Sequence, residues 1–479
     1  MIERTRPRTA RIGVFGVGLN TYWGQFPGLL DNLMGFHARF KAMLPENVEV
    51  IDYGMIDSTD KSFSAARKIQ GDGVDLIFCN MLTYATSSVF APILREVNAP
   101  TVLVALQPLS AMDYTQAKTF MQLENDNICS VPEFTGVAIR YGRAVRDVIL
   151  GTLEDEGCRR QLTDWCDTAC ALHALKGARM GLMGHVLEAM YDMQADPTAV
   201  EAAFGLHIPL LEPGMMSDCW EKVPEELIRE RSALILREFD TPDPVSDPVT
   251  TKLTERDLYL AAKASVMLDM FVEKYDLTGL AYYYESREGS EERTMLSSMI
   301  AGNSILNARG IPMCGEFDIR TCVAMLIMDR LGIGGSFAEF HPFDFNNNII
   351  LVGHDGPHHM AIADGKPVLR SLKKYHGKPG SGASVEFKIK EGPITMLSIS
   401  QNAQGGMKFV IGEGESMNGP IPPTGNTNTR GWFGDDVRAF MKNWVMAGPT
   451  HHFALGVGHH AEQLRQIGEI LNIETIVVK

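Results

Sequence analysis

The first third of the chain alternates short apolar runs with amphipathic stretches, and this pattern narrows the fold more than any other feature. The runs are RIGVFGVG (11–18), VEVIDY (48–53), VDLIFCN (74–80) and PTVLVAL (100–106), separated by helix-patterned segments such as GLLDNLMGFHARFKAML. All-apolar strands alternating with helices point to a parallel sheet covered on both faces. The pattern restarts near residue 178. ARMGLMGH (178–185) reads as a strand leading into a helix VLEAMYDMQA, and LHIPLLE (206–212) as the next strand. A long helix is expected over ERDLYLAAKASVMLDMFVEKYD (255–276), then a strand over LTGLAYYYE (277–285).

The last third changes character. ASVEFKIKEGPITMLSIS and MKFVIGEGES alternate apolar and polar residues, with Gly, Pro and Asn between them, as in an antiparallel sheet or barrel. RAFMKNWVMAG and AEQLRQIGEILNI read as helices, PDPVSDPV (242–249) as a loop, and EGESMNGPIPPTGNTNTRG (413–431) as a long polar loop. A chain of 479 residues is too long for one compact core, so two to three domains are expected. The expected fold is α/β: two doubly wound parallel-sheet domains, 1–177 and 178–323, plus a C-terminal mainly antiparallel β domain, 324–479.

A formal charge of −15, with no run of Lys or Arg, argues against nucleic acid or an anionic membrane surface as partner. The apolar runs fall far short of the roughly 20 residues that span a bilayer, and the basic N-terminus lacks an apolar signal core. A soluble, cytoplasmic protein is expected. None of the eight cysteines has the two-residue spacing of a zinc knuckle or redox motif, so buried free thiols in a reducing compartment are expected.

GVFGVGLN raises the question of a dinucleotide cofactor. Its fingerprint needs a third glycine at position 21, where the chain has Thr21, and no helix start follows cleanly. No Gly-Lys-Ser phosphate loop and no Gly-x-Ser-x-Gly elbow is present.

Histidine is unevenly placed. Nine of the 13 fall after residue 340. Glu316 in PMCGEFDIRT, Glu339 in GSFAEFHP, His354 after NNNIILVG, and the pair His451–His452 after WVMAGPT each lie at the edge of an apolar run, where a fold presents ligands from a rigid element. Two carboxylates and two imidazoles suit Mn²⁺, Mg²⁺ or Co²⁺ with positions open for substrate oxygens. The bland alternative is a set of scattered surface imidazoles. For Glu316 the alternative role is an acid in the first turn of a helix EFDIRTCVAMLIMDRL, where it would favour the helix dipole.

With these residues laid out, the chain resembles the L-arabinose isomerase family, in the wider L-fucose/L-arabinose isomerase group. AYYYESREGS, CGEFDIRTCVAML, GIGGSFAEFHPFDFNNNIILVGH and NWVMAGPTHHFALGVGH stand in the family's order and at similar spacing, over residues 277–479. The resemblance implies a divalent metal, usually Mn²⁺, on Glu316, Glu339, His354 and His452, with Glu316 and Glu339 also acting as the acid/base pair. It implies His451, Tyr284 and Tyr84 as sugar-lining residues, and a homotrimer or homohexamer in which a neighbour's N-terminal domain closes the pocket. The sugar-reading segments depart from the family. Asp126 and Cys129 replace a Gln and a His ahead of PEFTG, and Asn20 stands roughly where the family has a Gln. The expected activity is isomerisation of a free open-chain sugar through an enediol(ate), with a substrate other than L-arabinose. A metal-dependent epimerase of a ketose or sugar acid, and a non-catalytic sugar-binding protein, are the alternatives. Asp355 and Asp344 are the residues expected to accept from the outer ring nitrogens of the metal-binding imidazoles.

Overall fold

The computed structural model describes residues 2–186, 190–243, 247–356 and 358–479. Contacts divide it into two compact units: Arg8–His173, and Ala174–Lys479 together with the N-terminal segment as far as Pro7. The fold is α/β, with two parallel, helix-covered sheets and a C-terminal, mainly antiparallel β domain.

The first unit holds five parallel strands, β1 (Arg11–Val17), β2 (Glu49–Ile56), β3 (Leu76–Met81), β4 (Thr101–Gln107) and β5 (Val145–Thr152), in the order β2-β1-β3-β4-β5. Neighbouring side chains on β3 serve opposite faces. Ile77 and Cys79 join one apolar cluster, while Phe78 meets Phe40 edge to face on the other side. That two-sided burial is why these strands read as unbroken apolar runs. The edge strand β5 escaped the sequence pattern, because most of its residues are only half buried and its run is interrupted by Arg146 and Asp147.

The second unit opens with a four-stranded parallel sheet: β6 (Met180–Met183), β7 (Leu210–Leu211), β8 (Gly279–Tyr282) and β9 (Met313–Cys314), in the order β9-β8-β6-β7. The expected strand 206–212 shrinks to two residues. Of the expected helix 186–195, Leu187, Glu188 and Ala189 lie outside the described residues, and only a 3₁₀ turn, Tyr191–Met193, forms beyond them.

Seven further strands build a barrel: β10 (Gly334–Asp344), β11 (Ile349–His354), β12 (Gly392–Gln401), β13 (Met407–Met417), β14 (Thr427–Trp432), β15 (Phe453–Val457) and β16 (Glu474–Val478). The antiparallel ring runs β12-β15-β10-β11-β14-β13 and closes by β13 pairing back onto β12. β16 adds in parallel along β13. The polar stretch 413–431 is therefore not one long loop. Its two ends are β13 and β14, and only residues 418–426 connect them. Polar side chains sit comfortably in these strands because they pair there: the Ser416 and Thr429 hydroxyls bond across the two strands.

A helix, Ile319–Leu331, packs against β8, β10 and β15, and every one of its residues is buried. Asp329 near its end is ion-paired with Arg4 and Arg330 and accepts from His359 Nε2 at 3.1 Å. The N-terminal segment is stitched to this unit as well, with the Thr5 and Arg6 amides on the Arg309 carbonyl at 3.1 and 3.0 Å.

Candidate metal centre

Four of the predicted residues meet where three barrel strands and one helix start converge. Glu339 lies within β10, His354 ends β11, and His452 immediately precedes β15. The strand registers bring them together: Glu339 pairs with Gly353, and its neighbour Ala338 pairs with Phe453. Gly353 has to be glycine. A Cβ there would lie 2.0 Å from the Thr427 carbonyl oxygen, so a side chain would push β11 off β14 beside His354.

Glu316 arrives from the loop after β9. It does not stand in the first turn of the helix. Asp318 is the N-cap, and Glu316 lies two residues before it. Glu316 and Phe317 are both left-handed, at φ 59° and 62°. Two consecutive non-glycine residues in this region are costly, on the order of 1–3 kcal/mol each, and such strain persists where the surroundings enforce it. Here the Phe317 amide is held by the Tyr282 carbonyl at 2.9 Å, which turns the Glu316 carboxylate inward.

The distances are those of a ligand set. His354 Nε2 lies 3.9 Å from Glu316 Oε1 and 3.8 Å from Glu339 Oε1, and His452 Nε2 lies 3.6 Å from Glu316 Oε2. Phe337, fully buried, packs beside both imidazoles with its ring centre 4.4 Å from each, and the two imidazole centres are 5.2 Å apart. Glu316 Oε2 and His452 Nε2 are buried without any hydrogen-bond partner. Buried polar atoms are rarely left so; with Nδ1–H of His452 on Asp318, both orphans present lone pairs, which fits a shared cation.

Both imidazoles are oriented through Nδ1, one by an expected aspartate and the other by an aspartate the sequence did not single out. Asp355 holds His354, with Oδ1 at 3.2 Å, and its other oxygen lies 3.4 Å from His376 Nε2. Asp344 spends its carboxylate on the Asn346 and Asn347 amides of an exposed turn and touches neither ring. The partner of His452 is Asp318, at 3.1 Å, which the sequence reading missed. Its signal was present as an N-cap in DIRT, where a helix-starting Asp is ordinary.

Charge follows this wiring. Burial works against a charged His354, but the hydrogen bond and charge of Asp355, with Glu316 and Glu339, outweigh it and lift the ring to about 9. Burial lowers His452, against the pull of Asp318. Burial pushes His358, which is not part of the set, down to about 3.

Two predicted sugar-lining residues flank this centre. Tyr284 is 2% exposed and stacks on His376 at 4.4 Å. Burial, then the Glu316 charge, pushes its phenol well up. A ring nitrogen of the exposed His451 lies within 4.8 Å of both Glu316 and His452, and its Nδ1 faces Asp192 at 2.6 Å.

The other four lie in the first unit, in loops that follow the C-terminal ends of the parallel strands. Asn20 follows β1, Tyr84 follows β3, and half-buried Asp126 and exposed Cys129 share the turn before the helix Val131–Arg140. Asn127 anchors that turn by donating to the Met81 and Leu106 carbonyls at 2.6 and 3.3 Å. Tyr22, which the sequence reading passed over, joins them. Burial raises its phenol first, then the charge of Asp126, with Tyr84 and Cys129 as further neighbours. The remaining cysteines are free thiols and buried.

The family description "L-arabinose isomerase C-terminal domain" matches residues 334–474, which span β10 to the start of β16. The L-arabinose isomerase of Aeromonas hydrophila is 22% identical over 412 residues, covering 83% of this chain and 79% of its own. That of Thermotoga maritima is 21% identical over 346 residues, covering 70% and 67%. A ligand-free, open substrate-binding protein of Clostridium difficile covers 64% of this chain and 74% of its own at 13% identity, with a TM-score of 0.15, too low to carry any argument. The barrel that holds three of the four converging residues is the region the family description matches, and similarity to L-arabinose isomerases extends over most of the rest of the chain.

Proposed function

We propose that this protein is a metal-dependent aldose–ketose isomerase acting on a free, open-chain sugar through an enediol(ate). Similarity to L-arabinose isomerases over most of the chain supports the sugar isomerase, an intramolecular oxidoreductase. The observation that carries the finer reading is the meeting of Glu316, Glu339, His354 and His452 around two buried atoms without partners, Glu316 Oε2 and His452 Nε2. These four residues hold the divalent cation in this reading, Mn²⁺ or alternatively Mg²⁺ or Co²⁺. When bound, the cation supplies Lewis-acid stabilisation for the negative charge that develops on adjacent sugar oxygens.

The chain's own residues do the proton work. One of Glu316 and Glu339 takes a proton from the carbon beside the carbonyl and returns it to the neighbouring carbon. The other moves the hydroxyl proton. Glu316 is closed off at 5% side-chain exposure, whereas Glu339 at 30% is reachable from solvent, so the two carboxylates differ in access. Tyr284 and His451 line the sugar. We assign Asn20, Tyr84, Asp126 and Cys129 to the sugar pocket of another subunit in a cytoplasmic homotrimer or homohexamer. The replacement of a neutral and a basic side chain by Asp126 and Cys129 supports a sugar other than L-arabinose. We also retain the three-part division 1–177, 178–323 and 324–479, with the metal ligands drawn from the last two parts.

Glu316→Gln and Glu339→Gln test the acid/base pair. Each should lower kcat by about 10²–10⁴-fold with an unchanged circular-dichroism spectrum. Substantial turnover in both variants would remove the assignment.

A further inference from the structure

We propose that Asp192 is a positioning residue of this site: it fixes the ring of His451 in one orientation and one tautomer, so that His451 meets the sugar as a hydrogen-bond acceptor. The proposal rests on the isomerase reading above for its substrate, and on separate geometry for the rest.

Asp192 sits in the 3₁₀ turn Tyr191–Met193, 259 residues from its partner. Its Oδ2 accepts twice from His451, from the main-chain amide at 3.0 Å and from ring Nδ1 at 2.6 Å. One oxygen thus grips both the backbone and the side chain of the same residue, which restricts rotation of the ring. The turn itself is held from inside the protein: the Asp192 carbonyl accepts from Arg320, which is 2% exposed. Arg320 lies on the helix that Asp318 caps, two residues further on.

The chemistry follows from the donor inventory. An ionised carboxylate only accepts, so the ring nitrogen that faces it carries the hydrogen. A neutral imidazole with Nδ1–H has its lone pair on Nε2. His451 and His452 are adjacent in sequence with ring centres 3.9 Å apart, and each has its Nδ1 on a carboxylate, Asp192 for one and Asp318 for the other. The buried member of the pair, His452, faces Glu316. The exposed member, His451, has one of its two ring nitrogens within 4.8 Å of a ligand atom of Glu316 and one of His452. An accessible acceptor on a ring beside Glu316 and His452 is suited to a sugar hydroxyl, and a hydroxyl held there is oriented relative to Glu316.

The test uses the Mg²⁺-loaded full chain and four proteins: wild type, Asp192→Ala, His451→Ala and the double variant. Asp192→Ala should lower kcat/KM by about 10–100-fold while metal content stays unchanged. The double variant should be no worse than His451→Ala, because a residue that acts through another loses nothing once that partner is gone. Losses that multiply in the double variant would overturn the proposal, since a merely structural Asp192 acts independently of the ring. A second readout needs no turnover. In ¹⁵N-histidine-labelled protein, His451 should be the Nδ1–H tautomer in the wild type and redistribute in Asp192→Asn. An Nε2–H ring in the wild type, or a ring unmoved by Asp192→Asn, would also overturn it. If the wild type turns over no sugar, the isomerase reading fails on its own, and the ring measurement still decides what Asp192 does.

Discussion

Asp318 Oδ2 lies 3.1 Å from Nδ1 of His452, and neither side chain is more than 1% exposed. The same carboxylate starts the helix Ile319–Leu331, accepting from the Thr321 amide at 3.0 Å and the Thr321 hydroxyl at 2.7 Å. One residue therefore ends a strained loop, caps a buried helix and turns His452 Nε2 toward Glu316.

Asp318→Ala removes two of those functions at once. Losing the acceptor behind a metal-binding imidazole typically costs 10–100-fold in metal affinity. Losing the cap costs about 1 kcal/mol of stability. Calorimetric titration with Mn²⁺ should read the first and urea unfolding of metal-free protein the second. Unchanged Mn²⁺ affinity would separate His452 from the metal.

Metal uptake should release a proton. The His354 ring is lifted to about 9 in the metal-free fold, above the ordinary histidine value, so it is charged at neutral pH. A ligating imidazole is neutral, so the cation displaces that proton. Affinity should climb on the order of tenfold per pH unit below about 9 and level off above it. The contribution of His354 to the stability of the metal-free protein runs the other way. A raised group stabilises fully below its unfolded value and loses that contribution as pH rises through about 9. Titration of Mn²⁺ affinity across this range checks the slope, and a flat profile would contradict it.

Asp329 should dominate the acid stability of the second unit. Burial works against its charge, but hydrogen bonds from His359 and Arg4 outweigh burial and hold it well below the usual carboxylate range. A depressed group contributes stability above its unfolded value, about 3.9, and loses it as pH falls through the folded value. Asp329→Asn leaves buried Arg330 without the counter-charge of Asp329 and should cost about 3 kcal/mol at pH 7. The gap to wild type should narrow as pH drops below 4. Urea midpoints at pH 7 and at acidic pH measure both.

Fold class was legible because burial on two faces leaves unbroken apolar runs, as in β3 and β4, while β12 alternates apolar residues with Thr395, Ser398 and Ser400, hydroxyls that are themselves buried in the barrel. The four converging residues were legible because Glu and His beside apolar runs are chemically conspicuous and stand in the order of the motifs that carry the resemblance. What failed was whatever depends on distant partners. Asp318 and Asp192 look like ordinary polar residues until a chain reversal of 134 or 259 residues brings a histidine to them. The left-handed pair Glu316–Phe317 carries no glycine to announce it, so the sequence pattern started the helix three residues too early, at Glu316 rather than Ile319. The polar ends of 413–431 read as loop because hydroxyl and amide side chains satisfied inside a barrel are indistinguishable, in one dimension, from those satisfied by water.

The most direct test strips the protein with chelator, restores Mn²⁺, Mg²⁺ or Co²⁺ in turn, and follows a panel of aldoses and ketoses by NMR in D₂O. The account predicts interconversion of an aldose and its ketose only with metal present, and deuterium from solvent at C1 or C2 of the product. Conversion that keeps the carbonyl in place would mean an epimerase. Turnover undiminished after metal removal, or no turnover of any sugar with any of the three cations, would contradict the reading of Glu316, Glu339, His354 and His452 as a metal-dependent isomerase centre.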